Sequence, residues 1–88
     1  MKALHLVIHG RVQGVFFRDS MRREAQHLSV SGWVRNLGND TVEAVVQGEP
    51  AAVNSLVRWA HHGPQQAQVE QVEITPDEGS YISFEVIG

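Results

Sequence analysis

Apolar and polar residues alternate with period two in "ALHLVIH" near the start of the chain. Leu4, Leu6 and Ile8 share one face, and His5, Val7 and His9 the other, which is the pattern of a strand buried on one side. The stretch from Gly10 to Phe16 breaks the alternation and reads as a turn. From Phe17 the spacing lengthens: Phe17, Met21, Ala25 and Leu28 recur at helical intervals, while Arg18, Asp19, Arg22, Arg23 and Glu24 take the other faces. "VSGWVRNL" and "TVEAVVQG" flank "GND" and predict two strands joined by a tight turn, with Val42, Ala44 and Val46 on one face. Glu49-Pro50 opens a second helix whose stripe is Val53, Leu56, Val57 and Ala60, and Gly63-Pro64 ends it. "VEQVEIT" and "YISFEVI" read as the closing strands around "PDEGS", with Ile82, Phe84 and Val86 alternating.

The order is β-α-β-β-α-β, with room for an extra strand at the end. Helices in these positions cover one face of one antiparallel sheet. The expectation is an α+β, ferredoxin-like βαββαβ sandwich, with the first and third strands central. This architecture hosts many unrelated activities, so function has to come from a site.

Composition narrows the classes. At 88 residues, 42% hydrophobic and 19% charged, the chain has enough apolar material for one core, and residues 1–88 are expected to form a single domain. A formal charge of −3 gives no global field for nucleic acid or anionic membrane, so any anion site has to be local. The absence of cysteine removes disulfides, thiolate nucleophiles and cysteine-bound metal centres. That also excludes a cysteine-dependent tyrosine phosphatase, whose phosphate loop likewise ends in arginine. No apolar run is long enough to span a bilayer and no secretory pattern opens the chain, so a cytoplasmic location is expected.

The turn "GRVQGVFFR", Gly10 to Arg18, carries the candidate chemistry. It leads into a helix start, where unsatisfied N–H groups and the positive end of the helix dipole meet. Gly10 and Gly14 permit backbone angles that curl successive N–H groups inward as an anion-binding nest. Arg18 is placed to lay its guanidinium over that hollow and grip two oxygens at once. Arg11, leaving a strand end, reads as reaching solvent. On glycine spacing alone, a mobile glycine turn with two solvated arginines is the favoured reading, because such a motif is weak.

"GRVQGVFFR" closely resembles the first signature of the acylphosphatase family, and "GWVRNLGNDTVEAVVQG", Gly32 to Gly48, resembles the second. "VNSLVRWAHHGPQQAQVEQVEI" is similar to the family's second helix and following strand. The resemblance spans nearly the whole chain. It implies a ferredoxin-like hydrolase that cleaves acyl phosphates to a carboxylate and phosphate, with no cofactor, no metal and no covalent intermediate. Arg18 matches the family's phosphate-binding arginine, and Asn36 the asparagine that positions the attacking water. Gln13, Gly14, Val15, Phe16 and Phe17 fall in the loop whose main-chain amides hold the phosphate. A small-molecule acyl phosphate is then the expected substrate, with inorganic phosphate as product and competitor, in a monomer that binds neither nucleic acid nor membrane.

That chemistry suits these residue types. The leaving carboxylate needs little protonation, so no strong general acid is required. What remains is to hold the phosphoryl oxygens, spread their charge and aim one water in line. Arg18 stays protonated and Asn36 does not titrate, so neither is a base; the substrate's own phosphate oxygen is the expected proton acceptor. Two departures from the family's pattern stand out. Leu37 follows Asn36 where some members carry a small hydroxyl residue, and "FEVIG" lacks the basic or aromatic tail of some relatives.

Other candidates weigh less. His5 and His9 are four apart on a strand, about 13 Å, too far to share an ion. His61-His62 reads as a structural helix end, and Trp33 and Trp59 as packing residues. Glu70, Glu73, Asp77 and Glu78 read as a solvated face. Asp19 and Glu24 are weak carboxylate candidates, and Ser20 suits capping or packing. A non-catalytic anion- or partner-binding module of the same fold is the alternative function. A ferredoxin-like RNA binder is disfavoured, because "LHLVIH" and "TVEAVVQ" lack stacking aromatics.

Overall fold

In the computed structural model, which describes residues 1–88, strand β1 (Lys2–Arg11) is followed by helix α1 (Phe17–Leu28) and strands β2 (Ser31–Leu37) and β3 (Thr41–Gly48). Helix α2 (Pro50–Ala60), strand β4 (Gln68–Pro76) and the short strand β5 (Phe84–Val86) complete the order. The sheet runs β4-β1-β3-β2-β5, so β1 and β3 are central, as expected. The first four strands pair antiparallel, whereas β5 runs parallel to β2, with Gly32 opposite Phe84 and Val34 opposite Val86. The sheet is therefore mixed, an antiparallel four-stranded core with one parallel edge.

Both helices cover one face. Leu6 and Ile8 of β1, Val34 of β2, and Val42, Ala44 and Val46 of β3 point toward them and are fully buried. They meet Phe17, Met21 and Ala25 of α1 and Val53, Leu56, Val57 and Ala60 of α2, the two stripes read from the sequence. Burying a side chain of this size contributes about 1.5–3 kcal/mol, so these positions supply most of the drive to fold. Pro50 occupies the first turn of α2, and His61 closes its end with Nδ1 against the Val57 carbonyl at 2.9 Å, a structural role. Trp59 is half-buried, its ring tilted against Phe17 at 5.3 Å between centroids.

The opposite face is partly open. His5 meets Glu43 at 2.7 Å, and Arg35 donates from Nε to the same carboxylate at 2.6 Å while lying over Trp33. Burial pushes the Glu43 carboxyl up, but the hydrogen bonds from His5 and Arg35 outweigh it and hold the pKa below its ordinary 4.5. His9 pairs separately with Glu73, so the two strand histidines serve two different carboxylates. Glu73 is thus not simply solvated. Neither is Asp77, which accepts from the Tyr81 hydroxyl and the Gly79 amide.

The fifth strand differs from the reading of "YISFEVI" as one long alternating strand. Only Phe84–Val86 pairs, and Ile82 is 99% exposed. Because β4 and β5 lie at opposite edges, residues 77–83 have to cross the sheet. They do so at the end holding Ala3 and Gln47: Asp77 N–H donates to the Ala3 carbonyl, and the Gln47 side chain bonds Gly79 and Tyr81. That crossing leaves the other end of the sheet, where β1 gives way to α1, uncovered. No helix is long and apolar enough to cross a membrane.

Candidate active site

The turn after β1 is shaped by left-handed backbone at two positions. Gly14 has φ 72° and Phe16 φ 62°. The value at Gly14 suits glycine, but at Phe16 it costs about 1–2 kcal/mol, because Cβ crowds the following carbonyl. Phe16 is the N-cap of α1 and offers no side-chain cap; its carbonyl accepts the Ser20 N–H at 3.0 Å. Ser20 is therefore not the cap of this helix. Alternating conformations of this kind aim successive amides at one point, and the first-turn amides of α1 add to them.

Gln13 faces back rather than toward the hollow's centre. Its side-chain amide donates to the carbonyls of Gly38 at 3.1 Å and Thr41 at 2.7 Å, tying the loop to the β2–β3 turn. That strut fixes the loop relative to Asn36 near the end of β2. Val12 and Val15 anchor the loop from below, both buried. Val15 does not line the hollow; its side chain is turned into the core.

A cavity of about 550 Å³ opens at this point, a size that suits small-molecule sites. It is lined by Gln13, Gly14, Phe16, Phe17, Arg18 and Asn36, which the sequence singled out. Val12, Asp19, Arg22 and Val86 complete it. Arg18 and Asn36 are 18 positions apart in the chain and on different elements, yet share one wall. Both are half-buried. The stretch after β5 links them: the Gly88 carbonyl accepts from Arg18 Nη1 and from the Asn36 amide. The Asn36 side-chain oxygen, Oδ1, is buried and has no hydrogen-bond partner. A buried acceptor left without a partner costs about 1–3 kcal/mol.

Two arginines, Arg18 and Arg22, line the hollow without an Asp or Glu partner, whereas Asp19 is engaged by Arg23 at 2.8 Å. This is an exposed pair one helical turn apart. Arg11 is exposed and lies outside the hollow. No three His, Asp or Glu side chains converge in a way that could hold a metal ion.

Comparison with known proteins decides the family. The acylphosphatase family model matches residues 4–86. The acylphosphatase of Thiobacillus denitrificans is 60% identical over 85 residues, covering 97% of this chain and 96% of that protein.

The chain belongs to the acylphosphatase family.

Solved acylphosphatases carry the same fold. The Coxiella burnetii structure superposes with a TM-score of 0.93 at 39% identity, over 98% of this chain and 92% of its own. The Bacillus subtilis structure superposes with a TM-score of 0.94 at 28% identity, over the full length of both. In this acylphosphatase chain, Val86 and Gly88 join the site through a parallel edge strand that the sequence pattern does not mark. Arg22 and Asp19 were legible as polar helix positions, but only the orientation of α1 shows that both reach the hollow. A second hollow, about 410 Å³, lies beyond Phe16, between Ser20 and Arg23 of α1 and Pro64–Gln66. Phe16, 79% exposed, lines both hollows.

Proposed function

We propose that this chain hydrolyses acyl phosphates to a carboxylate and inorganic phosphate, without a metal ion, in the hollow between the β1–α1 loop and the end of β2. The phosphoryl group lies over the loop. Main-chain amides of the Gln13–Phe17 segment and the fork of Arg18 hold its oxygens and spread their negative charge. Family membership supports the reaction class. The observation that supports the mechanism is that Asn36 and Arg18, from different elements, line one hollow. The Asn36 carboxamide hydrogen-bonds one water there and fixes its oxygen for attack on phosphorus.

As the water oxygen bonds to phosphorus, the bond from phosphorus to the acyl oxygen breaks. The acyl group leaves as a carboxylate carrying the electron pair, and a phosphoryl oxygen takes the water proton. Arg18 follows the equatorial oxygens through this change, giving them more stabilisation as charge builds. The non-bridging charge is met by the guanidinium, the amides and the helix dipole, so a divalent ion has no task left to perform.

The direct test is turnover of acetyl phosphate by the purified chain, with and without chelator. The expected result is hydrolysis at the same rate in both, competitively inhibited by inorganic phosphate. Loss of activity in chelator, restored by a divalent ion, overturns the metal-free mechanism. Phosphate binding with no turnover at all makes the chain a non-catalytic anion-binding module.

A further inference from the structure

Helix α1 presents two cations to the hollow, and the chemistry above uses one. Arg22 lies four residues after Arg18, so the two share a helix face with Cβ atoms about 6 Å apart, and both line the cavity. Arg22 is exposed, makes no side-chain hydrogen bond and has no carboxylate partner. The contrast is Arg23, equally exposed on the same helix, which is spent on Asp19 at 2.8 Å. That pair also neutralises the carboxylate on the cavity wall. Glu85 lies with Arg22 on an adjoining shallow surface but forms no ion pair with it.

The site is larger than its chemistry requires. A phosphoryl group engages the loop amides and Arg18, and the cavity continues along α1 toward Arg22 and Val86. The acyl part of the substrate then extends along the open length of the cavity, where Arg22 lies. We propose that Arg22 is a specificity-determining residue that binds a second anionic group on the acyl moiety. The favoured substrates are then acyl phosphates whose acyl chain ends in a negative charge about one helical turn from the phosphoryl group. This assignment rests on the acyl phosphate hydrolase reading.

The test compares acetyl phosphate with succinyl phosphate, whose far carboxylate has the required reach, in the wild type, Arg22→Gln, Arg22→Lys and Arg23→Gln. The readout is the ratio of kcat/KM for succinyl phosphate over acetyl phosphate. Arg22→Gln is expected to lower this ratio about tenfold, chiefly through KM for succinyl phosphate. Arg22→Lys should keep most of the ratio, because one carboxylate needs a charge rather than a planar fork. Arg23→Gln should keep the wild-type ratio, which separates a local contact from a general loss of positive charge. The wild-type ratio should also fall as salt is raised to about 0.5 M, where screening shortens to a few ångström. An unchanged ratio in Arg22→Gln, or an equal loss for both substrates, overturns the assignment while leaving hydrolysis itself intact. If the wild type turns over neither compound, the hydrolase reading fails, and the Arg22 subsite falls with it.

Discussion

Arg18 differs from the chain's other arginines in what holds it. It is half-buried at the start of α1, with Nη1 against the Gly88 main-chain oxygen. Its remaining N–H groups stay free to grip two phosphoryl oxygens. A lysine keeps the charge but offers one point contact on a flexible stem. Arg18→Lys is therefore expected to be nearly as damaging as Arg18→Ala, with a loss on the order of 10³-fold in rate, or about 4 kcal/mol. Arg11→Lys is the control and should cost far less, because Arg11 is exposed and outside the hollow. Steady-state kinetics on the three variants checks this, and near-normal turnover in Arg18→Lys removes the bidentate clamp. At this scale the sequence marked Gly14, Phe16 and Arg18 as parts of one turn, and the three line one hollow. It was silent on Gln13, whose amide could have faced the ligand or the scaffold. Only the positions of the Gly38 and Thr41 carbonyls show that it serves as a strut.

The elements that follow a clear period were legible, and those shaped by their neighbours were not. The stripes of α1 and α2 and the alternation of β1 and β3 each reflect burial on one side, which leaves its mark on every second, third or fourth residue. Strand β5 has no such mark. Its three residues pair only because Gly32–Val34 of β2 offer an edge, and the alternation from Ile82 to Val86 overstates its length. Yet this short strand carries Val86 and Gly88 to the site. On the open face, β1, β2 and β3 are joined by one carboxylate. The depressed pKa of Glu43 means that it stabilises the fold above the unfolded value, and that this contribution is lost as pH falls through the lower folded value. Denaturant unfolding of wild type and Glu43→Gln across acidic pH checks this. The variant should be less stable at neutral pH by about 1–2 kcal/mol, because hydrogen bonds to a charged group are lost. The difference should shrink as pH falls below the ordinary glutamate value and through the lower folded one, where the wild-type carboxyl protonates. A gap that is constant with pH shows that the His5–Glu43–Arg35 cluster does not contribute through its charge.

Across the whole molecule, a net charge of −3 coexists with a hollow lined by two arginines. In the proposed function, anion affinity is built locally, from a helix start, a curled loop and those arginines. The fold brings Asn36, on a strand end, to a loop that begins two strands away in the sheet, because β1 and β3 are central neighbours and β2 flanks β3. The loop and the strand end were each legible in the sequence, but that both line one hollow is visible only in three dimensions. Binding and turnover should then separate in one variant. Phosphate stabilises the folded molecule in proportion to its affinity, so its effect on Tm reads the cradle in the intact protein. The measurement that tests the account most directly is Asn36→Ala, assayed together for acetyl phosphate turnover and for the phosphate-induced rise in Tm. The expected result is phosphate affinity within a few-fold of wild type and a rate lower by on the order of a hundredfold or more. Normal turnover with phosphate affinity intact contradicts the account, because the water would then be positioned by something other than Asn36.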